Sequence, residues 1–391
     1  MKSFDKRIWK TFDYLTLFLI AALVLMGLLG MTNALADPAT GDMTLSEKIA
    51  SLNLRYPTLQ LAWFAVGLVI VFVMALMDYQ ALSDYIKYAY FIILGFLVLL
   101  LVLKYAAGQG NRGVAGWLNI GSFGVQPSEF GKVVLIVALA KVCSEAMDNG
   151  GGRMKGLRVL VMPLALTAIP VVLIVLQPDW GTAFVYLCIL AGILFAARVS
   201  WKAIGTAVLT VGAGLPLAYH FLMTEDQQNR IKTFLNPDAA DALNEAYHST
   251  AGTEVIHSGG LTGMGFMKEG SLTQLGYLPE QHTDYIFASI VEALGFIGGV
   301  IVILLYFLLL LRTLYIGVKS RDTFGLLICT GVASMLLAHV FENIGMLLGI
   351  MPITGIPLPF VSYGGSSMLA SMMAYGLVIN VWIRRQQKHK L

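Results

Sequence analysis

The sequence predicts an all-α integral membrane protein of about ten transmembrane helices, and composition, charge and run length each point to it. Of 391 residues, 57% are hydrophobic and only 13% are charged. Soluble domains carry roughly 25% charged residues, so this chain lacks the polar surface to face water throughout. Mean hydropathy is +0.75.

A helix crossing a bilayer needs about 20 mostly apolar residues. Ten stretches qualify, near 12–33, 59–77, 85–104, 128–147, 157–176, 181–199, 201–221, 285–312, 322–350 and 360–383. The first follows basic residues as a signal peptide would, but it has no clear cleavage site and reads as a retained helix. The fourth is the least apolar, carrying Glu129, Lys132 and Lys141. A very short basic link, with Arg198 and Lys202, joins the sixth and seventh. No repeat of fixed period runs through them. The chain reads as one membrane domain over 1–391, with a large outer loop at about 222–284 between the seventh and eighth spans.

Lys and Arg set the orientation. Lys2, Lys6, Arg7 and Lys10 precede the first span, and Arg153, Lys155 and Arg158 follow the fourth. Arg312, Lys319 and Arg321 follow the eighth, and Arg384, Arg385, Lys388 and Lys390 follow the tenth. With ten spans these groups share one side, the cytoplasm, which also takes both termini. The link with Asp78, Asp84 and Lys87 gives no support. The opposite side is acidic, since residues 224–283 hold eight acids and three bases, net −5.

A loop of that length points to a functional element. It contains Gly259-Gly260-Leu261-Thr262-Gly263-Met264-Gly265, which reads as turn-forming glycine rather than a phosphate cradle, because no strand precedes it and no helix follows. The net charge of +3 implies no nucleic-acid partner. Cys143, Cys188 and Cys329 lack metal-ligand spacing and read as buried thiols. No His-Glu-x-x-His, Gly-x-Ser-x-Gly or Walker string is present, so hydrolysis by a metal or an activated serine has little support.

Four strings stand out: Gln126-Pro127-Ser128-Glu129, Gln177-Pro178-Asp179, Pro279-Glu280-Gln281-His282-Thr283-Asp284 and Pro357-Leu358-Pro359-Phe360-Val361-Ser362-Tyr363-Gly364-Gly365-Ser366-Ser367. They precede or open the fourth, sixth, eighth and tenth spans, and parity puts them on one face of the membrane. Ser128, Thr283 or Asp284 would suit helix caps. Capping does not explain charges at membrane depth, which default to a functional reading. Glu129 and Lys132 lie three apart on one helical face and form either a position-fixing ion pair or the floor of a polar cavity. Trp117 reads as an interfacial anchor or a sugar-stacking ring. The Gly364-Gly365-Ser366-Ser367 run permits close helix approach or anion binding. His339, Glu342 and Asn343 in the ninth span read as contacts inside the bundle.

At these strings the chain resembles the SEDS family (shape, elongation, division and sporulation, the RodA and FtsW type), with wording slightly nearer RodA. The most specific matches are Leu278-Pro279-Glu280-Gln281-His282-Thr283-Asp284-Tyr285-Ile286-Phe287 and the run from Gly355 to Ser367. Asn343-Ile344-Gly345-Met346 and both Gln-Pro-acid strings also match, and the resemblance covers essentially the whole chain. It implies a peptidoglycan glycosyltransferase in the bacterial cytoplasmic membrane, joining lipid II units into β-1,4 glycan on the outer side. It implies Asp284 as the essential loop carboxylate, Trp117 as the loop tryptophan, Glu129 and Lys132 as the pair, and Asp179 as the acid after Gln-Pro. It also implies a single-span class B penicillin-binding protein as partner. This chain departs from the family at Gly116, Gly124, Ala251 and the Glu292-Ala293 pair.

A sugar hydroxyl is a poor nucleophile, so a carboxylate has to take its proton, and Asp284 is the candidate. The substrate-binding candidates are Trp117, Arg112, Gln126, Glu129, Lys132, Asp179, Arg230, Glu280, His282, Thr283, Ser362, Tyr363 and Ser366. Arg112, Lys132 and Arg230 are the candidate partners of a pyrophosphate, with a divalent cation (magnesium or manganese) as a candidate helper. No protein-held metal is assigned. A lipid II transporter and a scaffold for the transpeptidase are the rival readings. The one-sided clustering and the lack of a repeat suit an enzyme better than alternating access.

Overall fold

The computed structural model describes residues 11–35, 52–106, 116–120, 123–200, 205–206, 214, 219–221, 223–235, 245–278 and 280–385. Apart from one short hairpin, the regular elements of the described chain are all helices. Helices α1 (Tyr14–Leu35), α2 (Arg55–Leu76) and α3 (Tyr79–Ala106) match the first three expected spans. The hairpin pairs β1 (Leu118–Ile120) with β2 (Phe123–Val125) and leads into α4 (Pro127–Asn149). Next come α5 (Val161–Val175), entered through a 3-10 turn at Leu157–Leu160, and α6 (Trp180–Ala196). Most of the expected seventh span, 201–221, falls outside the described residues. Two short helices follow in the loop, α7 (Glu225–Leu235) and α8 (Glu245–Ser258). The bundle closes with α9 (Ile286–Val318), α10 (Thr323–Leu347) and α11 (Gly365–Arg384), the expected eighth to tenth spans.

Seven described helices are long and apolar enough to cross a bilayer. Besides the seventh, two expected spans fall outside that set for different reasons: α4 carries too many charges, and α6 has only 17 residues. Burial orders the bundle. The most apolar windows of α10 and α11 are 67% and 83% buried, whereas those of α2 and α3 are 22% buried. So α10 and α11 form the centre, and α2 and α3 leave most of their apolar surface facing outward, as lipid solvent permits.

Helix α9 is broken. Gly295 has φ +74, and the loop string of glycines fills the break. Met264 and Gly265 donate their backbone N–H to the carbonyls of Glu292 and Ala293, ending the first half. Phe296 and Ile297 donate to the carbonyls of Gly260 and Leu261, starting the second. The break therefore leaves these backbone groups satisfied, the condition for irregular backbone inside a membrane protein. The glycines serve backbone approach, as the turn-forming reading expects. Glu292 fixes the same loop, accepting from Leu272 N at 2.7 Å, Thr273 N at 3.0 Å and Ser258 Oγ at 3.1 Å.

The link between the second and third expected spans is shorter than the charge reading took it to be. Helix α3 starts at Tyr79, so Asp84 and Lys87 lie inside it. Asp78 lies 3.9 Å from both Arg321 and Arg384, so its charge is offset by bases from other links.

Candidate active site

Hydrogen bonds tie the four strings together at one end of the bundle. Gln126 Nε2 donates to Asp179 Oδ2 at 3.1 Å, and Gln126 N donates to Ser366 Oγ at 3.1 Å. Ser362 Oγ donates to the Thr283 carbonyl at 2.6 Å, and Tyr363 N donates to the His282 carbonyl at 3.0 Å. A cavity of about 340 Å³ opens between them. Of the sequence candidates, Trp117, Gln126, Glu129, Asp179, Arg230, Glu280, Thr283, Asp284 and Tyr363 line it.

Asp284 stands just ahead of α9 and does not cap it; Tyr285 holds the cap position, and its side chain makes no capping bond to the helix. Asn343 Nδ2 fixes its backbone, donating to the Asp284 carbonyl at 2.9 Å and to the Ile356 carbonyl at 2.8 Å. Burial pushes the Asp284 carboxyl up to about 6, Glu280 pushes it the same way, and the Arg230 guanidinium opposes both. Gly355 forms the facing wall at φ +70, a conformation that side chains rarely adopt. Glu280 itself has φ +42, and its carbonyl accepts from Thr283 N and Thr283 Oγ1, both at 3.1 Å. A non-glycine residue held left-handed in a tight turn beside the carboxylate is the kind of local strain that concentrates at functional sites.

Glu129 and Lys132 form the expected ion pair at 2.7 Å. Lys132 does not reach the cavity surface, because its ammonium also meets His339 Nε2 at 2.8 Å. His339 Nδ1 lies 3.3 Å from the Pro357 carbonyl. The neutral ring that donates from Nδ1 and accepts at Nε2 satisfies both contacts. Lys132 is thus a buried brace joining α4, α10 and the string at 357–367. Asp179 caps α6 by accepting from Thr182 N at 3.0 Å, and burial raises its carboxyl above the usual value.

Ser362 and Ser366 do not line the cavity. Ser362 Oγ accepts from Leu358 N at 2.8 Å besides bonding Thr283, and Ser366 Oγ reaches the Gly124 carbonyl at 3.3 Å. His282 also turns away, its ring centroid 4.6 Å from that of Tyr56, and burial lowers its pKa. Ser128 is buried within α4 and caps nothing. Arg112 lies outside the described residues. Trp117 is 47% exposed, and a Cβ at position 124 would stand 3.0 Å from its ring. The Trp117 ring therefore packs closely over Gly124 on the hairpin.

Sequence reading missed Thr182 and Thr354, which line the cavity, and Gln60, which shapes it; Gly355 and Ser367, read as part of the 355–367 string but not as substrate-binding candidates, also line it. Gln60 is 1% exposed, donates to the Ser362 carbonyl at 2.9 Å and accepts from Gly364 N at 3.3 Å, clamping both sides of Tyr363. Its signal was a lone polar residue within an apolar span. His339 and Asn343 make the contacts inside the bundle that were expected, whereas neither carboxylate oxygen of the buried Glu342 has a hydrogen-bond partner among the described residues.

The cavity wall is acidic, with Glu129, Asp179, Glu280 and Asp284 against Arg230. Among the described residues, no three His, Cys, Asp or Glu side chains group as ligands for a metal ion.

The cell cycle protein family of FtsW, RodA and SpoVE matches residues 14–388. The chain is 37% identical over 333 residues to the peptidoglycan glycosyltransferase MrdB of Escherichia coli K12, covering 83% of this chain and 85% of that protein. It is 35% identical over 325 residues to the stage V sporulation protein E of Bacillus subtilis, covering 82% and 85%. Its fold is similar to the rod shape determining protein RodA of Thermus thermophilus, with a TM-score of 0.65 and 26% identity over 96% of this chain and 98% of that one. A TM-score of 0.74 with 27% identity, over 96% and 99%, relates it to a chain in a structure described as the structural coordination of polymerization and crosslinking by a peptidoglycan synthase complex. From the match over residues 14–388 and these relatives, the chain belongs to the FtsW/RodA/SpoVE family of multi-pass membrane proteins.

Proposed function

We propose that this chain is an inverting peptidoglycan glycosyltransferase that polymerises lipid II, with Asp284 as general base. One observation supports the reading: the Asp284 carboxylate, pushed up to about 6 by burial, lines a cavity of about 340 Å³. A base near that value is ionised at neutral pH yet basic enough to accept a proton as the oxygen attacks.

In the proposed step, the 4-hydroxyl of the acceptor attacks the anomeric carbon of the donor MurNAc and gives its proton to Asp284. The bond from that carbon to the pyrophosphate oxygen breaks, and undecaprenyl pyrophosphate leaves as the anion. An α-linked donor then gives a β product in one displacement, with no covalent intermediate. Pyrophosphate needs charge neutralisation rather than an acid, so the second carboxylate of glycosidase chemistry has no counterpart. Arg230 is the cavity-lining cation that meets this need, while Lys132 supports the wall from behind. The polyprenyl tail stays in lipid along the bundle.

The same reading takes ten spans in one domain, both termini in the cytoplasm and the 222–284 loop outside. It takes a class B penicillin-binding protein as partner, supported by the likeness to a peptidoglycan synthase complex. The test is purified protein with labelled lipid II in detergent, where no compartment exists across which to transport. β-1,4 glycan supports the enzyme; intact lipid II with a folded protein favours the transporter or scaffold.

A further inference from the structure

The head of α2 carries an aromatic group that the catalytic reading does not use. The Tyr56 ring lies 4.6 Å from His282 and 4.9 Å from Tyr363, centroid to centroid, and His282 lies 6.0 Å from Tyr363. All three residues are half-buried, and beyond them the Arg55 guanidinium stands 6.0 Å over the Tyr56 ring. The group is continuous with the cavity, because Tyr363 lines it. Backbone bonds hold two of its members. Gln60 clamps the backbone on both sides of Tyr363, and Tyr363 N is bonded to the His282 carbonyl. Burial lowers the His282 pKa, so its ring adds a neutral aromatic surface.

A pyranose has a face of C–H groups that packs on aromatic rings, and rigid rings lose little entropy in doing so. A polymerase that keeps its product between additions also needs a path for that product, and the rest of the cavity wall is rich in carboxylates. We propose that Tyr56, with His282 and Tyr363, forms a carbohydrate-stacking rim that holds the growing glycan strand as it leaves Asp284. This rests on the glycosyltransferase reading above.

Tyr56→Ala and Tyr56→Phe are compared with wild type in detergent, scoring initial rate, its pH dependence and glycan length separately. Tyr56→Ala shortens the strands by roughly threefold to tenfold, the scale of one lost aromatic contact. The initial rate and its acid limb stay as in wild type, and Tyr56→Phe restores length because the ring, not the hydroxyl, does the holding. Wild-type strand length from folded Tyr56→Ala overturns the proposal. So does a Tyr56→Ala variant that unfolds while a folded Tyr56→Phe makes short strands. A rate loss with a displaced acid limb overturns it too, since Tyr56 would then act only through the catalytic turn. Absence of glycan from wild type would instead overturn the glycosyltransferase reading and leaves the two failures distinct.

Discussion

The two ends of the bundle use the same kinds of residue to different effect. At the end remote from the cavity, charges close on one another. Asp322 caps α10 through Gly325 N at 2.7 Å and also accepts from Tyr79 at 2.6 Å, Gln80 at 2.9 Å and Arg321 at 3.1 Å. Arg312 meets Asp13 at 2.8 Å and lies 4.4 Å from the Trp382 ring centroid. At the cavity end, among the described residues, Glu280 and Asp284 line the open cavity with Arg230, and the backbone at Glu280 is left-handed. A closed network fixes helices; an open one leaves groups with shifted pKa values free to act on something else.

That contrast can be broken most sharply at Asp284. Asp284→Asn should lower polymerisation by about a hundredfold to ten-thousandfold, the range for losing a general base. It should not destabilise the protein at pH 8. The folded pKa is raised, so the folded state binds this proton more tightly than the unfolded chain, and stability falls as pH climbs from about 4 through about 6. The amide removes that ionisation cost, so thermal unfolding at pH 8 should be unchanged or later.

Lys132 tests the boundary between the two kinds of network. Lys132→Met strands the buried Glu129 carboxylate, and loss of about 3–5 kcal/mol is expected from such a change. Unfolding in detergent should come much earlier, and adding Glu129→Gln should recover part of the loss. At the closed end, Asp322→Asn should cost about 1–2 kcal/mol through weakened charged hydrogen bonds. Activity per folded molecule should stay as in wild type; a specific loss of rate there would erase the distinction between the ends. The smallest effect is expected at the rim, where Trp117→Ala should raise KM by about threefold to tenfold with little change in kcat. An unchanged KM would return Trp117 to the role of membrane anchor.

Much of this layout was legible in the sequence. Long apolar runs gave the helices, because a bilayer demands them whatever the packing. Counting spans by parity brought the four strings to one end, where hydrogen bonds now join them. The break in α9 was hidden: Gly295 sits in a continuous apolar run, and the groups that complete it come from residues 260–265. The role of Gln60 was hidden too: it stood out as a lone polar residue in its span, but its partners, Ser362 and Gly364, lie some 300 positions away. Sequence also could not separate serines that line a cavity from serines that bind backbone, so Ser362 and Ser366 were taken as substrate-binding candidates, whereas Ser367 of the same string was not. Local chemistry is written along the chain, whereas closure between distant segments is not.

The central claim is that Asp284 acts ionised from a cavity that raises its pKa, and the acid limb of the polymerisation rate tests it most directly. Wild type should lose rate tenfold per pH unit below about 6. The limb should move to lower pH in Glu280→Gln, which removes a neighbouring negative charge, and to higher pH in Arg230→Gln, which removes the opposing positive one. A limb that stays in place in both folded variants, or one that persists with full activity in Asp284→Asn, would contradict the account.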